Sequence, residues 1–581
     1  MRYPALLLAV LVAVCSLPAR AQLLEVTLDG LEGELRENTL AWLGDPPATP
    51  QARSNYLYSA RRKVEQSLQA LGYYRPDIDF KLTRGSETWT LLITVDTGEP
   101  VVYGNIDVRI SGDASADSAF IELVRQSPLK SGEILNHGVY DRFRRSISSL
   151  GLRRGYFNGR FREARVAVEP VGGVADVTLH YDSGSRFVFG PLSYDQDIVR
   201  PGLLEPLMQT REGEAYEQQK LQETQARLQR TGYFSTVILR PQPAAASDGQ
   251  VPLTLDLFPA KRHNINVGVG FSTDTQERVS LTWRTPRINR HGHSQETRLQ
   301  YSRINPSGRV TYNIPLSDPL NDVLQLTGRV EDNEFGDLDS NQRELGVRRE
   351  IKRDEWIYSY ALRALNESWN AQGLDRENQY LLPGFSLSQR VHQGALVNPT
   401  AGFSQWYRVE GGARELGSDV DLLRLTANYG FIHTLAERHR LVLRTDIGAV
   451  FLAASDRDQL APSLNFFAGG SQSIRGYSYQ SIGNEITRVA DDGEDVTLVV
   501  GGDRLLTASV EYQYSFNKNW RGALFVDAGD AFDEGDFDAN VGAGIGVHYV
   551  TQIGAIRLDL ANPVTDDSPS WRVHLSIGAE F

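Results

Sequence analysis

Long stretches in which apolar and polar residues strictly alternate run through the second half of the chain, and they constrain its fold most. One such stretch reads Ile265, Asn266, Val267, Gly268, Val269, Gly270 and Phe271. The same alternation recurs at 279–284, 506–516 and 571–581. Because successive side chains of a strand point to opposite faces of the sheet, each stretch predicts a strand with one apolar and one polar face.

A soluble β-sandwich alternates in the same way, but three features favour a transmembrane antiparallel β-barrel. The stretches approach the roughly 9–11 residues of a tilted membrane strand. Their apolar faces carry aromatic residues near the strand ends, as membrane girdles do. The last stretch runs to an aromatic residue, Phe581. Residues 264–581 number 318, and at about 20 residues per strand and connection they predict a C-terminal barrel of about 16 strands.

Beyond the first residues, no apolar segment is long enough to suggest a transmembrane helix instead of a barrel. Outside the first residues, no stretch of 18 or more apolar residues is present for a membrane helix. A closed barrel crosses a membrane without one, because strand pairing satisfies every backbone polar group.

Three triplets of glycine and two aromatic residues divide the first half of the chain into similar modules. They are Gly72-Tyr73-Tyr74, Gly155-Tyr156-Phe157 and Gly232-Tyr233-Phe234. Each follows a segment with helical spacing of apolar residues (58–71, 139–150 and 220–228) and precedes two strand-like runs. One triplet alone would indicate only a helix end and some core, but the threefold recurrence predicts three α+β modules at 22–101, 102–187 and 188–263.

The first 21 residues are typical of an export signal. Arg2 precedes an apolar run at 5–17, and Ala19-Arg20-Ala21 fits a cleavage site. Removal of this segment would also remove Cys15, the single cysteine, so no disulfide is expected. The formal net charge of −13 would become −15 without Arg2 and Arg20, which disfavours a nucleic-acid partner.

One loop segment carries a family resemblance. The sequence Gly469-Gly470-Ser471-Gln472-Ser473-Ile474-Arg475-Gly476-Tyr477 resembles the signature loop of the outer-membrane protein assembly factors and two-partner secretion transporters, the BamA/TamA superfamily. Phe525-Val526-Asp527-Ala528-Gly529 is similar to a strand motif of the same family. The three modules resemble its polypeptide-transport-associated (POTRA) domains. The likeness covers essentially all of the chain after residue 21, and the number of modules most resembles the TamA branch, since BamA usually carries five and two-partner transporters two.

The resemblance implies a non-enzymatic machine of the bacterial outer membrane with its POTRA domains in the periplasm. Such a machine promotes the insertion or secretion of outer-membrane proteins such as autotransporters. In the family, the first and last barrel strands, here 264–271 and 571–581, meet at a weak seam that opens laterally. The implied partners are a TamB-like protein anchored in the inner membrane, outer-membrane protein clients and outer-membrane lipids.

The motif residues also have a physical interpretation of their own. Arg475 on a glycine-flanked loop can fold into the polar lumen and pair with Asp527, which strand alternation places inward beside Phe525. A guanidinium would bind such a carboxylate in a bidentate way that lysine does not reproduce. Gly476 would let the loop pass close to the wall. The alternative is that Arg475 lies on a solvated loop and pairs with nothing.

The seam prediction rests on glycine. Gly268, Gly270 and Gly578 lie in the terminal strands, the last of which ends at Phe581. Glycine contributes no side-chain packing and so weakens local pairing. The alternative is that these glycines merely fit crowded positions in the lumen.

Other functions stay open at this point. A passive pore would use the same barrel, and a dedicated exporter would thread one large partner protein through the lumen. An enzyme is disfavoured, because no nucleophile–base constellation stands out. His291-Gly292-His293 and the acidic run 491–495 lack further metal ligands at a recognisable spacing, so we expect solvated loops there and no metal or cofactor. The polar segments 331–341 and 490–495 are likewise predicted to be surface loops.

Overall fold

The computed structural model describes residues 23–578, except 48, 86–87, 372–373, 396–397, 490–492, 553 and 567–568. The predicted export signal, the acidic pair Asp491 and Asp492, and Phe581 lie outside the described residues. The chain forms two compact units. One contains the residues up to Ser193 with Thr210–Gln222 and Leu239–Thr254, and the other contains Tyr194–Gln209, Glu223–Ile238 and the residues from Leu255 onward.

The three repeats share one topology, in which two edge strands flank a central third strand. The first module consists of β1 (Leu23–Asp29), α1 (Gly33–Leu43), α2 (Pro50–Gln69), β2 (Asp77–Arg84) and β3 (Thr88–Asp96). Its sheet has the order β1-β3-β2, with β1 parallel and β2 antiparallel to β3. Fully buried Val64 and Leu68 of α2 and Ile93 of β3 belong to the core that joins helices and sheet.

The second and third modules repeat this order. The second consists of β4 (Val102–Ser111), α3 (Ser118–Arg125), α4 (His137–Arg153), β5 (Arg160–Glu169) and β6 (Val174–Asp182). The third consists of β7 (Val188–Ser193), α5 (Gln218–Arg230), β8 (Phe234–Pro241) and β9 (Gln250–Pro259). Their sheets have the orders β4-β6-β5 and β7-β9-β8. Short 3₁₀ turns lie at Asp113–Ala116, Pro201–Leu203, Glu205–Leu207 and Pro243–Ala245.

The repeated glycines take the backbone conformation that a helix end needs. Gly72, Gly155 and Gly232 have φ values of 95°, 85° and 72°, in the left-handed region. The residue after each of the first two closes the helix, since Tyr73 N donates to Leu68 O at 3.0 Å and Tyr156 N to Gly151 O at 2.9 Å. Such closures satisfy carbonyl groups that the last helical turn leaves unpaired.

The rest of the chain forms one antiparallel sheet of 16 strands, which confirms the predicted strand number. Its first strands are β10 (Asn264–Ser272), β11 (Gln276–Thr285), β12 (Ser294–Ser302), β13 (Ser307–Pro315), β14 (Asp322–Phe335), β15 (Leu338–Arg353), β16 (Trp356–Ala371) and β17 (Leu374–Ala395). The series continues with β18 (Asn398–Gly412), β19 (Leu422–Leu435) and β20 (His439–Leu452). A long loop follows, with 3₁₀ turns at Ala454–Gln459 and Pro462–Leu464 and a small hairpin of β21 (Glu485–Val489) and β22 (Asp495–Val499). The sheet resumes with β23 (Arg504–Ser515), β24 (Trp520–Phe532), β25 (Asn540–Thr551), β26 (Gly554–Pro563) and β27 (Arg572–Gly578), and a further 3₁₀ turn lies at Arg414–Leu416.

The barrel buries its polar face and exposes its apolar face. Val269 is 83% exposed, whereas Asp527 and His548 are fully buried. A sandwich would do the opposite, because its apolar faces meet in the core. Apolar residues outside and polar residues inside are what a membrane barrel requires. None of the helices in the described part of the chain is both long and apolar enough to cross a membrane.

The segment 331–341 is not the loop that its polarity predicted. β14 continues to Phe335 and β15 begins at Leu338, so the two strands stay paired up to a two-residue turn. Backbone pairing does not depend on side-chain polarity. The outward side chains here, such as Glu334 and Asp339, are polar because the hairpin extends past the apolar band formed by Leu326 and Leu345.

Candidate functional site: the lumen loop and the barrel seam

The two ends of the 16-stranded sheet meet with little hydrogen bonding. β10 and β27 are the first and last strands, and within the described residues they form no paired ladder. Thr273 N donates to Leu575 O at 3.2 Å, and Leu575 N donates to Thr273 Oγ1 at 3.3 Å. Every other strand of the barrel pairs with two neighbours along most of its length. The backbone N–H and C=O groups that other strands use for pairing are therefore largely unpaired between the predicted seam strands. This junction is an edge of the sheet.

The seam glycines differ in their surroundings. A Cβ on Gly268 would lie 2.7 Å from Ser280 Oγ, whereas one on Gly270 would lie no closer than 3.6 Å to Arg278. Gly578 pairs with Ala555 of β26. Crowding in the lumen thus explains glycine at 268 only in part, since Ser280 Oγ can rotate away, and it does not explain glycine at 270.

Arg475 lies inside the barrel, bound to the inner wall. Its Nε and Nη2 donate to the two carboxylate oxygens of Asp527 at 2.7 and 2.9 Å, which is the bidentate geometry of a guanidinium–carboxylate pair. The backbone N–H of Arg475 also donates to Asp527 Oδ2 at 3.0 Å. The side chain is 2% exposed. Arg475 is therefore not on a solvated loop.

Two further carboxylates bind the same guanidinium, and the sequence did not identify them. Nη1 donates to Glu511 Oε2 at 2.6 Å and to Asp559 Oδ2 at 3.2 Å. Glu511 on β23 and Asp559 on β26 both point into the lumen, as Asp527 does on β24. In all three strands, apolar and polar residues alternate. The only sequence signal was that shared inward position. Their meeting at one loop residue depends on how the barrel closes, which local patterns do not reveal.

Phe525 and several glycines shape the space around the loop. The guanidinium carbon of Arg475 lies 3.4 Å from the centroid of the Phe525 ring, a cation–π contact. A Cβ on Gly542 would overlap the carbonyl oxygen of Arg475, and one on Gly529 would overlap that of Leu506. Glycine at 542 allows the loop backbone to lie directly against the sheet, and glycine at 529 allows β24 to lie close to the backbone of β23.

The residue before Arg475 joins an apolar cluster that occupies one end of the lumen. Ile474 is fully buried in this cluster. Other members include residues of the loop (Leu460, Leu464, Phe466, Ala468, Ile482) and of inward strand positions (Leu365, Tyr380, Leu382). The wholly polar lumen expected from the alternation is thus replaced at this end by an apolar plug. The inward apolar residues of β16 and β17 were the available signal.

The residues after Arg475 bind the last strand. Gly476 N donates to His574 Nε2 at 3.0 Å, and Arg572 Nε donates to Gly476 O at 3.2 Å. Gly476 has a φ of 100°, and a Cβ there would lie 2.9 Å from Pro563 N, so only glycine fits without strain. Tyr477 shares a 2.9 Å hydroxyl–hydroxyl hydrogen bond with Thr565.

The other end of the loop motif binds the first hairpin of the barrel. Asp274, in the turn between β10 and β11, accepts hydrogen bonds from Ser471 N at 2.8 Å and Ser471 Oγ at 2.6 Å. His574 Nδ1 lies 3.7 Å from Asp274 Oδ1. One loop therefore binds both edges of the seam, and we call the contacts of Asp274, Ser471, Gly476 and His574 the seam clasp.

His291 and His293 lie close together in the connection between β11 and β12. His293 Nδ1 lies 2.9 Å from the Tyr312 hydroxyl, and the ring centroids of His291 and His293 are 5.8 Å apart. No group of three or more histidine, cysteine, aspartate or glutamate residues among the described positions is placed to hold a metal ion.

Repeated POTRA-like modules, a 16-stranded barrel and a lumen loop anchored by an arginine together define a class of outer-membrane barrel proteins with periplasmic arms. Residues 261–581 match the Omp85 superfamily domain, residues 25–97 match the POTRA domain called TamA domain 1, and residues 193–259 match a POTRA, or surface antigen variable number, repeat. The first match covers more than half of the chain, so this protein belongs to the Omp85 superfamily. It is an outer-membrane protein whose POTRA domains lie in the periplasm.

Two relatives of this chain are named outer membrane protein assembly factor BamA. The chain is 24% identical over 400 residues to BamA of Nitratidesulfovibrio vulgaris, covering 64% of this chain and 48% of that protein. It is 21% identical over 535 residues to BamA of Neisseria meningitidis serogroup B, covering 85% of this chain and 65% of that protein. The chain thus spans about half to just under two thirds of the length of these relatives.

A solved structure shares the fold. BamA from Haemophilus ducreyi lacking POTRA domains 1–3 superposes with a TM-score of 0.68 at 17% sequence identity, covering 82% of this chain and all of that one. At this identity the likeness concerns the fold alone.

Proposed function

We propose that this protein promotes the insertion or secretion of outer-membrane proteins, including autotransporters, by opening its barrel between β10 and β27. The observation that carries this proposal is the seam, where the described strands share hydrogen bonds only at Thr273 and Leu575. Breaking so few bonds costs far less than opening any fully paired junction of the same sheet. No enzymatic step is part of this proposal.

An opened seam would offer a template to a client strand. Unpaired N–H and C=O groups of an edge strand bind an incoming strand by β-augmentation. The apolar outward residues of β10, Ile265 and Val267, would keep the added strand continuous with the membrane-facing surface. In this mechanism, the seam clasp holds the edges together until a client arrives.

Within the superfamily, we assign the chain to the TamA branch, and this assignment implies a particular partner. The match of residues 25–97 to TamA domain 1 supports the TamA branch, and with it a TamB-like partner anchored in the inner membrane. The second helix of the first module offers a surface for such a contact, since Tyr58 is 93% exposed there and Arg61 lies one turn away.

A reversible lock across the seam tests the main proposal. Thr273 N donates to Leu575 O, and Leu575 N donates to Thr273 Oγ1, so these two residues are neighbours across the seam and are the positions chosen for a disulfide. The matched control joins Val279 to Tyr301, register partners on the fully paired β11 and β12 that both face outward. The described part of the chain contains no cysteine that could interfere.

We expect Thr273→Cys/Leu575→Cys to lose client assembly when oxidised and to regain it on reduction, with assembly in Val279→Cys/Tyr301→Cys unaffected by either treatment. The measurement is the appearance of a protease-protected autotransporter barrel in the outer membrane. Full activity of the oxidised seam variant would refute lateral opening.

Photo-crosslinking in cells from position 61 tests the partner. Capture of one large inner-membrane-anchored protein, identified by mass spectrometry, would support the TamB-like partner. Capture of assembly lipoproteins would place the chain with the general insertases instead, and capture of a single secreted protein would indicate a dedicated exporter.

A further inference from the structure

Two arginines on the lumen wall face each other without a partner. Arg298 of β12 lies directly opposite Arg309 of β13, which in turn lies opposite Arg329 of β14. Like charges in directly opposite positions of a sheet repel each other and destabilise it. Among the described residues, Arg298 and Arg309 form no ion pair or hydrogen bond through their side chains, and both are exposed, so solvent alone screens that repulsion.

The nearby carboxylates are already engaged by other arginines. Glu344 accepts from Arg329 at 3.0 Å and from Arg363 at 2.8 Å. Glu410 binds Arg363 at 2.6 Å and Arg424 at 3.1 Å, and Arg408 lies 3.9 Å from it. Four arginines therefore share these two glutamates, and one of them, Arg329, also pairs with Glu331 at 2.8 Å.

Arg309, Arg329 and Glu344 line a cavity inside the barrel of about 450 Å³, and Arg298 lies beside it, opposite Arg309. Its lining contains five arginines (Arg309, Arg329, Arg348, Arg363, Arg408) against two glutamates (Glu296, Glu344), an excess of three positive charges. The remaining lining is mostly neutral and polar, including Thr311, Asn313 and Gln325. A cavity walled by low-dielectric protein concentrates such a field and attracts anions.

We propose that this cavity binds an acidic polypeptide segment, whose carboxylates pair with Arg309 in the cavity lining and with Arg298 directly opposite it on the neighbouring strand. Guanidinium groups bind carboxylates in a bidentate way, and two unpaired arginines on adjacent strands present two such sites to neighbouring acidic residues. The inference deepens the proposed function by naming a substrate class, and it rests on that function for the source of the polypeptide.

The lining favours a peptide over a lipid. The acyl chains of a lipid require an apolar surface, and the cavity offers few apolar side chains. A peptide backbone, in contrast, finds hydrogen-bonding partners in Thr311, Asn313, Gln325 and Thr327. A small polyphosphate carries negative charge as an acidic peptide does, but it has no peptide backbone that needs these hydrogen-bonding side chains.

The test measures binding directly, so its result does not depend on whether the seam opens. Full-length protein in detergent is titrated with a fluorescent decapeptide that alternates glutamate and threonine, and with the matching lysine–threonine peptide. Inorganic tripolyphosphate serves as a third probe. The variant Arg298→Gln/Arg309→Gln breaks no ion pair within the described residues, so the barrel is expected to fold. Arg343→Gln is the matched control, because Arg343 is an exposed, outward-facing arginine of β15.

We expect the glutamate peptide to bind at least tenfold more tightly than the lysine peptide. The double variant should lose about tenfold in affinity for the glutamate peptide, since each exposed pair contributes up to about a factor of five. Arg343→Gln should leave binding unchanged, and added salt should weaken binding of the glutamate peptide.

Equal binding of the two peptides, an equal loss in Arg343→Gln, or binding of tripolyphosphate without the glutamate peptide would each overturn the proposal. If binding holds while the oxidised seam variant stays active, the seam mechanism fails and the acidic-peptide site stands.

Discussion

Arg475 is the residue on which the lumen loop depends most. One buried guanidinium satisfies Asp527, Glu511 and Asp559, so its removal would leave buried carboxylates without their main partner. Leaving a buried charge uncompensated typically costs about 3–5 kcal/mol. The loop is the element free to respond, because the carboxylates belong to strands of the barrel.

We therefore predict that Arg475→Ala yields a folded barrel whose loop is readily cut by protease. Arg475→Lys should be intermediate, since lysine keeps the charge but loses the bidentate contact and the flat stacking on Phe525. Limited proteolysis of the purified barrel, with heat-modified gel mobility as the folding control, measures both effects. Unchanged protection of the loop in Arg475→Ala would contradict the prediction, whatever the client-assembly activity.

At the level of single elements, Asp117 holds the second module together at the start of α3. Its carboxylate accepts from Ala119 N at 3.0 Å, Arg154 Nε at 2.6 Å and the Tyr156 hydroxyl at 3.0 Å. Burial opposes the ionisation of Asp117, but these hydrogen bonds outweigh it and lower the pKa of the carboxyl. Burial and the hydrogen bond to Asp117 also raise the pKa of Tyr156 to about 12.

The pH dependence follows from the direction of that shift. Because the folded pKa of Asp117 lies below the unfolded value, the carboxylate stabilises the module at pH above its ordinary pKa. This stabilisation is lost as the pH falls below the ordinary value and through the lowered one. Asp117→Asn should reduce protection of α3 at neutral pH and flatten its acid dependence. Hydrogen exchange of the full-length protein between pH 7 and pH 3 measures this, and an unaltered acid profile in Asp117→Asn would argue against it.

The sequence predicted elements well where a local repeat determines them. Alternation defined the strands around Val267 and Leu506, and a left-handed glycine at 72, 155 and 232 ended each helix as expected. The prediction from sequence failed where polar side chains were taken as evidence against a strand, as at Glu334. It also missed contacts that connect distant strands, such as Glu511 with Arg475, because these depend on the register of the whole sheet.

For the barrel as a whole, the lumen contents determine whether it conducts. The loop residues Phe466 and Ile474 pack with inward residues of the wall, such as Leu382, in one continuous apolar cluster. Such a cluster excludes water from that end of the lumen. A passive pore would need the opposite, an open polar channel from end to end.

We accordingly predict that the native protein shows little steady conductance in planar bilayers. Phe466→Ala/Ile474→Ala should conduct more often and for longer, since truncating two buried side chains costs about 2–5 kcal/mol each and loosens the plug. Val267→Ala/Val269→Ala, on the outward face of β10, is the control and should remain closed. A steady, partner-independent current through the native protein would mean that the loop does not block the lumen in a membrane, and it would favour the pore over the assembly function.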